Sequence, residues 1–290
     1  MPDSARPDAS RDRVRYGRLR SAGVELMQTH FEQHRFVAHA HDTWAVAAVQ
    51  LGTKDISASA RRPVIVAPGE LYALPPHAAH AGRCIDGGAS EYTMFYIPDA
   101  EWRARCAMHG VAPELLLRPR RHLGAAAQFA DFAARLFTQP EAVASWDGEW
   151  SLFCERVLKA LGAGQATAPQ AAPGVPGVPD VPDVRLRRAA DYLRSFHDRN
   201  VSLEQLAREA SLSVAELGRR FTAAYGLSPH RYQLVLRLVE AKRRLLAGEP
   251  LPEVAAATGF ADQSHMGRHF KAMFGMTPGT LAARRRAGTF

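Results

Sequence analysis

SLSVAELGRRFTAAYGLSP at residues 211–229 and GFADQSHMGRHFKAMFGMTP at residues 259–278 are one pattern written twice. Leu217, Gly218, Arg219, Phe221, Gly226, Ser228 and Pro229 recur 49 residues later as Met266, Gly267, Arg268, Phe270, Gly275, Thr277 and Pro278. Just upstream, Leu203, Leu206, Ala207, Ala210, Ser211 and Leu212 recur 48 residues later as Leu251, Val254, Ala255, Thr258, Gly259 and Phe260. A repeat at a nearly fixed offset marks one structural unit used twice. Each unit reads as a short helix, a tight turn and a second helix carrying an outward Arg. That is the outline of a helix-turn-helix, whose second helix enters the DNA major groove.

The local signals fix the elements. Ser202 is an N-cap for a helix over 203–210, with Gln205 completing a capping box. Ser213 caps a reading helix over 214–225, and Gly226 is placed to end it in a left-handed cap. Leu217, Phe221 and Ala224 face inward, which turns Ala215, Gly218, Arg219 and Thr222 outward. A connector helix from Pro229 to Ala247 carries Tyr232, Val235, Leu238, Val239, the stem of Lys242 and Leu246 on its inner stripe. Its length is roughly 27 Å, of the order of the roughly 34 Å between major-groove faces on one side of DNA. Asp262 caps a second reading helix over 263–274, which turns Gln263, Ser264, Gly267, Arg268 and Lys271 outward. Arg219 and Arg268 suit guanine and Gln263 suits adenine. Arg220, Lys271, Arg237 and the Arg284–Arg286 cluster suit phosphates. Gly218 and Gly267 each cost about 1 kcal/mol against Ala inside a helix, which points to a close approach of helix and DNA.

Charge supports this reading. The 290-residue chain has a formal charge of +8. Residues 184–290 hold 18 Lys and Arg against 9 Asp and Glu, so the positive excess lies entirely on the repeat-bearing third, as a phosphate-facing surface requires. Cys84, Cys106 and Cys154 are not spaced as metal pairs and read as unpaired thiols. The first 20 residues hold no apolar run, and no stretch of about 18 apolar residues exists. The expectation is a cytoplasmic protein without a membrane span. Upstream, short apolar runs such as WAVAAVQL (44–51) and PVIVA (63–67) are punctuated by Gly and Pro, as in a sandwich or small barrel. Phe129, Phe132, Ala133, Leu136 and Phe137, then Trp150, Phe153, Cys154, Val157, Leu158 and Leu161, mark two one-faced helices. GAGQATAPQAAPGVPGVPDVPDV (162–184) carries five prolines and reads as a spacer.

SLSVAELGRRFTAAYGLSPHRY, AKRRLLAG and GFADQSHMGRHFKAMFGMTP resemble the DNA-binding domain of the AraC-type transcriptional regulators. The resemblance places base-reading positions at Ala215, Gly218 and Arg219 in the first unit. In the second it places them at Gln263, Ser264, Gly267 and Arg268. HAHDTW (39–44), VAPGELYALPPHAAH (66–80) and EYTMFYIP (91–98) resemble, more loosely, the cupin-like sensor found in this family. The fold expected is α+β. A disordered tail (1–13) precedes a cupin-like effector-binding barrel (14–110) and a helical dimerisation or covering segment (111–162). A linker (163–184) then leads to the double helix-turn-helix domain (185–290). The expected partners are double-stranded DNA, a small-molecule effector, a second copy of the chain and RNA polymerase.

His39, His41 and His80 resemble part of the ligand set of cupin enzymes, but Ala45, Val46 and Ala47 stand where the carboxylate ligand belongs. They are therefore expected, with Trp44, Tyr72, Tyr92 and Tyr96, to line an effector pocket, without catalytic residues, metal or cofactor. The expected function is an effector-responsive activator. The alternatives are a metal-dependent cupin enzyme with a DNA-binding tail and an effector-independent DNA binder.

Overall fold

The computed structural model describes residues 12–19, 22–32, 34–57, 63–139, 146–162 and 183–286. The expected tail up to Arg11 and the spacer from 163 to 182 lie outside these. The N-terminal half contains strands β1 (Arg13–Leu19), β2 (Val24–Phe31), β3 (Phe36–His39), β4 (Trp44–Leu51), β5 (Lys54–Ser57), β6 (Ile65–Val66), β7 (Glu70–Leu74), β8 (His80–Cys84), β9 (Ser90–Ile97) and β10 (Arg120–Arg121). They form a six-stranded antiparallel sheet in the order β1-β2-β9-β4-β7-β10 and a four-stranded one in the order β3-β8-β5-β6. The two sheets do not close on each other, so the sensor is an open, cupin-like jelly roll rather than a barrel.

Alternation along the strands of the large sheet assigns two faces. Tyr16, Met27, Ala45, Ala47, Tyr72, Tyr92, Met94 and Tyr96 point to one side and join Ile56 and Val66 of the small sheet. Leu26, Trp44, Val46, Ala48, Phe95 and Ile97 point to the other. The first six residues of WAVAAVQL are apolar because β4 is buried on both sides from Trp44 to Val49. Its second side is covered by α1 (Asp99–Met108), α2 (Leu123–Thr138) and α3 (Trp146–Gly162). α1 lies within the segment read as barrel from sequence. Phe129, Phe132, Trp150 and Phe153 pack around Phe95, so the apolar stripes of α2 and α3 are spent on the sheet.

The C-terminal half is helical: α4 (Val184–Ser195), α5 (Leu203–Glu209), α6 (Val214–Tyr225), α7 (Pro229–Ala247), α8 (Leu251–Ala257), α9 (Gln263–Phe274) and α10 (Pro278–Arg286). The caps act where sequence places them. Ser202 and Gln205 close a reciprocal capping box on α5. Ser213 and Asp262 accept from the third backbone N–H of α6 and α9, at 3.2 and 2.6 Å. Such caps contribute about 1 kcal/mol each. Gly226 and Gly275 end the two helices at φ 69 and 73, a conformation that only glycine adopts without cost.

Candidate DNA-reading surface and its sensor

α5 packs on α6, and α8 on α9, as two matching pairs joined by α7. In α6, Leu217 and Phe221 are buried, and in α9 Met266, Phe270 and Met273. The opposite face is left to solvent. Ala215, Arg219, Gln263, Ser264, Arg268 and Lys271 are exposed, with Gly218 and Gly267 half-buried among them. Neither Arg219 nor Arg268 has an ion-pair partner among the described residues. A Cβ added at Gly218 or Gly267 meets nothing within 4 Å, so no contact among the described residues demands glycine there.

Two basic residues read as phosphate contacts have other work. Arg220 donates to Glu216 at 2.8 Å and to Asp183, the residue that caps α4, so its charge is already balanced. Arg237 lies on α7, away from the exposed faces of α6 and α9. Its guanidinium donates to the carbonyls of His197, Gly259 and Arg199 at 2.6–2.8 Å and so locks the second unit's turn onto the loop after α4. Burial lowers its pKa. Spacing alone does not separate a buried carbonyl clamp from a phosphate contact.

Among the expected sensor residues, His39, His41, His80, Tyr72, Tyr92 and Tyr96 share the inner side of the sandwich. Trp44 does not. It pairs across β9 with Ile97, packs at 6.2 Å from Trp102 and donates to Asp99 at 2.7 Å. It has the parity of Val46 and Ala48, so its contact with an inner ligand is excluded. An apolar cavity of about 10 Å³ lies on that helix side among Phe95, Phe129, Trp150 and Phe153, too small for an effector. On the inner side, burial and neighbouring rings push His39 and His41 well below the usual histidine pKa, and burial takes His80 to about 4. Burial also raises the hydroxyls of Tyr72, Tyr92 and Tyr96.

Sequence reasoning missed Lys54 and the sensor partners of Lys242. Lys54 is 3 % exposed, and its ammonium sits 3.2 Å from the centre of the Tyr92 ring. Burial lowers its pKa to about 7, while the ring face favours the charged form. Lys242 does more than lay its stem on the core. It crosses from α7 into the sensor, donates to Tyr16 Oη at 2.7 Å and pairs with Glu25. Both charges of that pair are mostly buried. In the first turn of α7, Arg231 Nε donates to the Ala38 carbonyl at 3.0 Å. Each reading helix also ends against the sensor. A Cβ on Gly226 would lie 2.6 Å from the Ala79 Cβ, and one on Gly275 3.0 Å from the Phe31 ring. These contacts lie far apart in sequence and leave no local signal.

Residues 21–145 match the model of the AraC-like ligand binding domain, and residues 206–284 that of a helix-turn-helix domain. The HTH-type transcriptional activator RhaS of Pectobacterium atrosepticum is 23% identical over 274 residues, covering 86% of this chain and 88% of that one. The HTH-type transcriptional regulator GlxA of Rhizobium meliloti is 39% identical over 94 residues, covering 32% of this chain and 28% of that one. Among solved structures, ToxT from Vibrio cholerae O395 shares the fold with a TM-score of 0.53 at 10% identity, covering 94% of this chain and 96% of that one. No helix among the described residues is long and apolar enough to cross a membrane. The chain therefore belongs to the AraC-type transcriptional regulators, DNA-binding proteins that join a cupin-like ligand-binding domain to a double helix-turn-helix.

Proposed function

We propose that the chain is an effector-responsive activator that works in the cytoplasm as a homodimer and acts on RNA polymerase. In this reading Arg268, Gln263 and Ser264 in α9 and Arg219 in α6 contact base edges. Gly218 and Gly267 let the helices approach, Ala215 contributes a methyl contact, and Lys271 holds phosphate. The observation that carries the proposal is the pair of matching exposed faces, each centred on an Arg with no partner among the described residues. Arg220 is the least supported contact, because carboxylates already hold it.

The effector would enter the sandwich interior beside Tyr72, Tyr92, Tyr96 and the three histidines. Lys54, which has no carboxylate partner among the described residues, favours an anionic one. Such a ligand also meets the Lys242–Glu25–Tyr16 clasp between the domains. A ligand shifts an equilibrium only by its differential affinity for two states, and competition for this clasp supplies the difference. A regulator rather than an enzyme is the reading favoured, since no carboxylate belongs to the histidine cluster among the described residues.

The deciding experiment is a salt titration of full-length protein on the promoter of a neighbouring gene. Affinity should fall steeply with salt as counterions are released. A flat dependence defeats the DNA-reading surface. Thermal shift against small carboxylates tests the effector, since a true ligand raises the melting temperature by mass action.

A further inference from the structure

The histidine cluster is built more tightly than a pocket wall requires. One ring nitrogen of each of His39, His41 and His80 lies within 4.8 Å of the other two, and all three side chains are buried. His39 Nδ1 is 2.6 Å from the Val37 carbonyl oxygen, and His80 Nδ1 is 3.0 Å from that of Ala78. A carbonyl only accepts, so both Nδ1 atoms carry the proton and both Nε2 atoms keep a bare lone pair. This is how a metal-bound histidine is held, its other nitrogen donating to a carbonyl and fixing the ring. His41 Nε2 is buried and has no hydrogen-bond partner among the described residues, a state that carries an uncompensated desolvation cost. A cation between the rings removes that cost. The backbone also holds the rings together. His39 faces His80 across β3 and β8, and the His77 N–H donates to the His41 carbonyl at 2.6 Å.

The donor set selects the ion. No Asp, Glu or Cys joins the cluster among the described residues. Magnesium and calcium need oxygen ligands, whereas neutral imidazoles suit zinc and its transition-metal neighbours. Ring centroids 4.3, 4.8 and 5.0 Å apart leave small ring rotations to bring three nitrogens to about 2.0–2.1 Å from one ion.

We propose that His39, His41 and His80 bind one divalent ion of the zinc class, and that this ion ties β3 to β8 where the DNA-binding domain rests on them. The residues beside the ligands are those the other domain touches: the Ala38 carbonyl takes the Arg231 hydrogen bond, and Ala79 meets Gly226. This second half rests on the regulator reading; the binding of the ion does not.

The test uses the full chain, stripped with a chelator and titrated with zinc, then with cobalt(II) as a visible probe. The expected result is one ion per chain, with cobalt d–d bands and no thiolate charge-transfer band. His41→Ala and His41→Gln should weaken uptake by more than the roughly 10–100-fold that losing an outer hydrogen-bond partner causes, with circular dichroism checking their fold. No uptake by the wild type, or unchanged uptake by either folded variant, overturns the site. Hydrogen exchange of loaded against stripped protein should show protection over 36–41 and 77–82 that extends to 226–234. Protection confined to the first two segments overturns the coupling. Promoter binding by the stripped protein reports separately on DNA reading.

Discussion

The two helix-turn-helix units share a plan and differ in what they can spare. In the first, the left-handed turn position is Ser211 at φ 52; in the second it is Gly259 at φ 75. A Cβ on Gly259 would lie 2.2 Å from the Asp198 carbonyl oxygen, because Arg237 draws that turn onto the loop after α4. The first turn meets no such clamp among the described residues and carries a side chain, Ser211. The i, i+4 pair on the reading helix is Glu216 with Arg220 in the first unit, and His265 with His269, ring nitrogens 3.2 Å apart, in the second. The first helix presents Ala215 and Gly218 beside its Arg, the second Gln263, Ser264 and Lys271. The first reading helix carries ion pairs to Glu216 and Asp183, whereas the second carries a histidine pair and follows a clamped turn, and the second exposes more polar side chains beside its Arg.

Exchanging the turn residues gives the largest effect. Gly259→Ala should cost more than about 2 kcal/mol in urea unfolding, since the left-handed conformation alone costs about 1–2. Ser211→Gly should be neutral or gain up to about 1 kcal/mol. Equal responses would break the contrast. On the promoter, Arg268→Ala should lose about 1–3 kcal/mol of affinity and little on random DNA, with Arg219→Ala losing less. Equal losses on both DNAs would reduce Arg268 to a phosphate contact. Gly218→Ala and Gly267→Ala should each stabilise the free protein by about 0.5–1 kcal/mol, because the added methyl enters open space, while promoter affinity falls. Unchanged affinity would mean that DNA does not approach there.

The smallest effect is one of pH. Burial, then His265, lowers the pKa of His269. Below the ordinary histidine value of about 6.5, the unfolded chain then holds more protons than the folded one. Stability carried by this group is present near neutrality and is lost as pH falls toward the depressed value. Hydrogen exchange at about pH 7 and about pH 5 should show α9 loosening more than α6. The double change His265→Glu with His269→Arg, copying Glu216 and Arg220, should level the two.

The helical half was legible because its signals are local. Ser202, Ser213, Asp262, Gly226 and Gly275 mark helix ends by their own chemistry, and a duplicated pattern checks itself. The sensor was less legible for reasons of symmetry and distance. In WAVAAVQL the six positions from Trp44 to Val49 are all apolar, so parity gives no cue to the side that Trp44 takes. Lys54 looks like a surface residue until strands far away in sequence fold over it, and nothing near Lys242 in sequence names Glu25 as its partner. Arg237 shows where composition reaches its limit, since an Arg that clamps carbonyls and one that meets phosphate are spelled alike.

The left-handed glycines that end the two reading helices also touch the sensor, one at Ala79 and the other at Phe31. The ligand-binding half therefore abuts the reading helices at two separate points. A swelling of the sandwich near one strand would tilt one helix, and a shift of the whole sheet would tilt both. Under the function proposed above, the two reading helices would answer separately or together, according to which wall of the sandwich a ligand displaces.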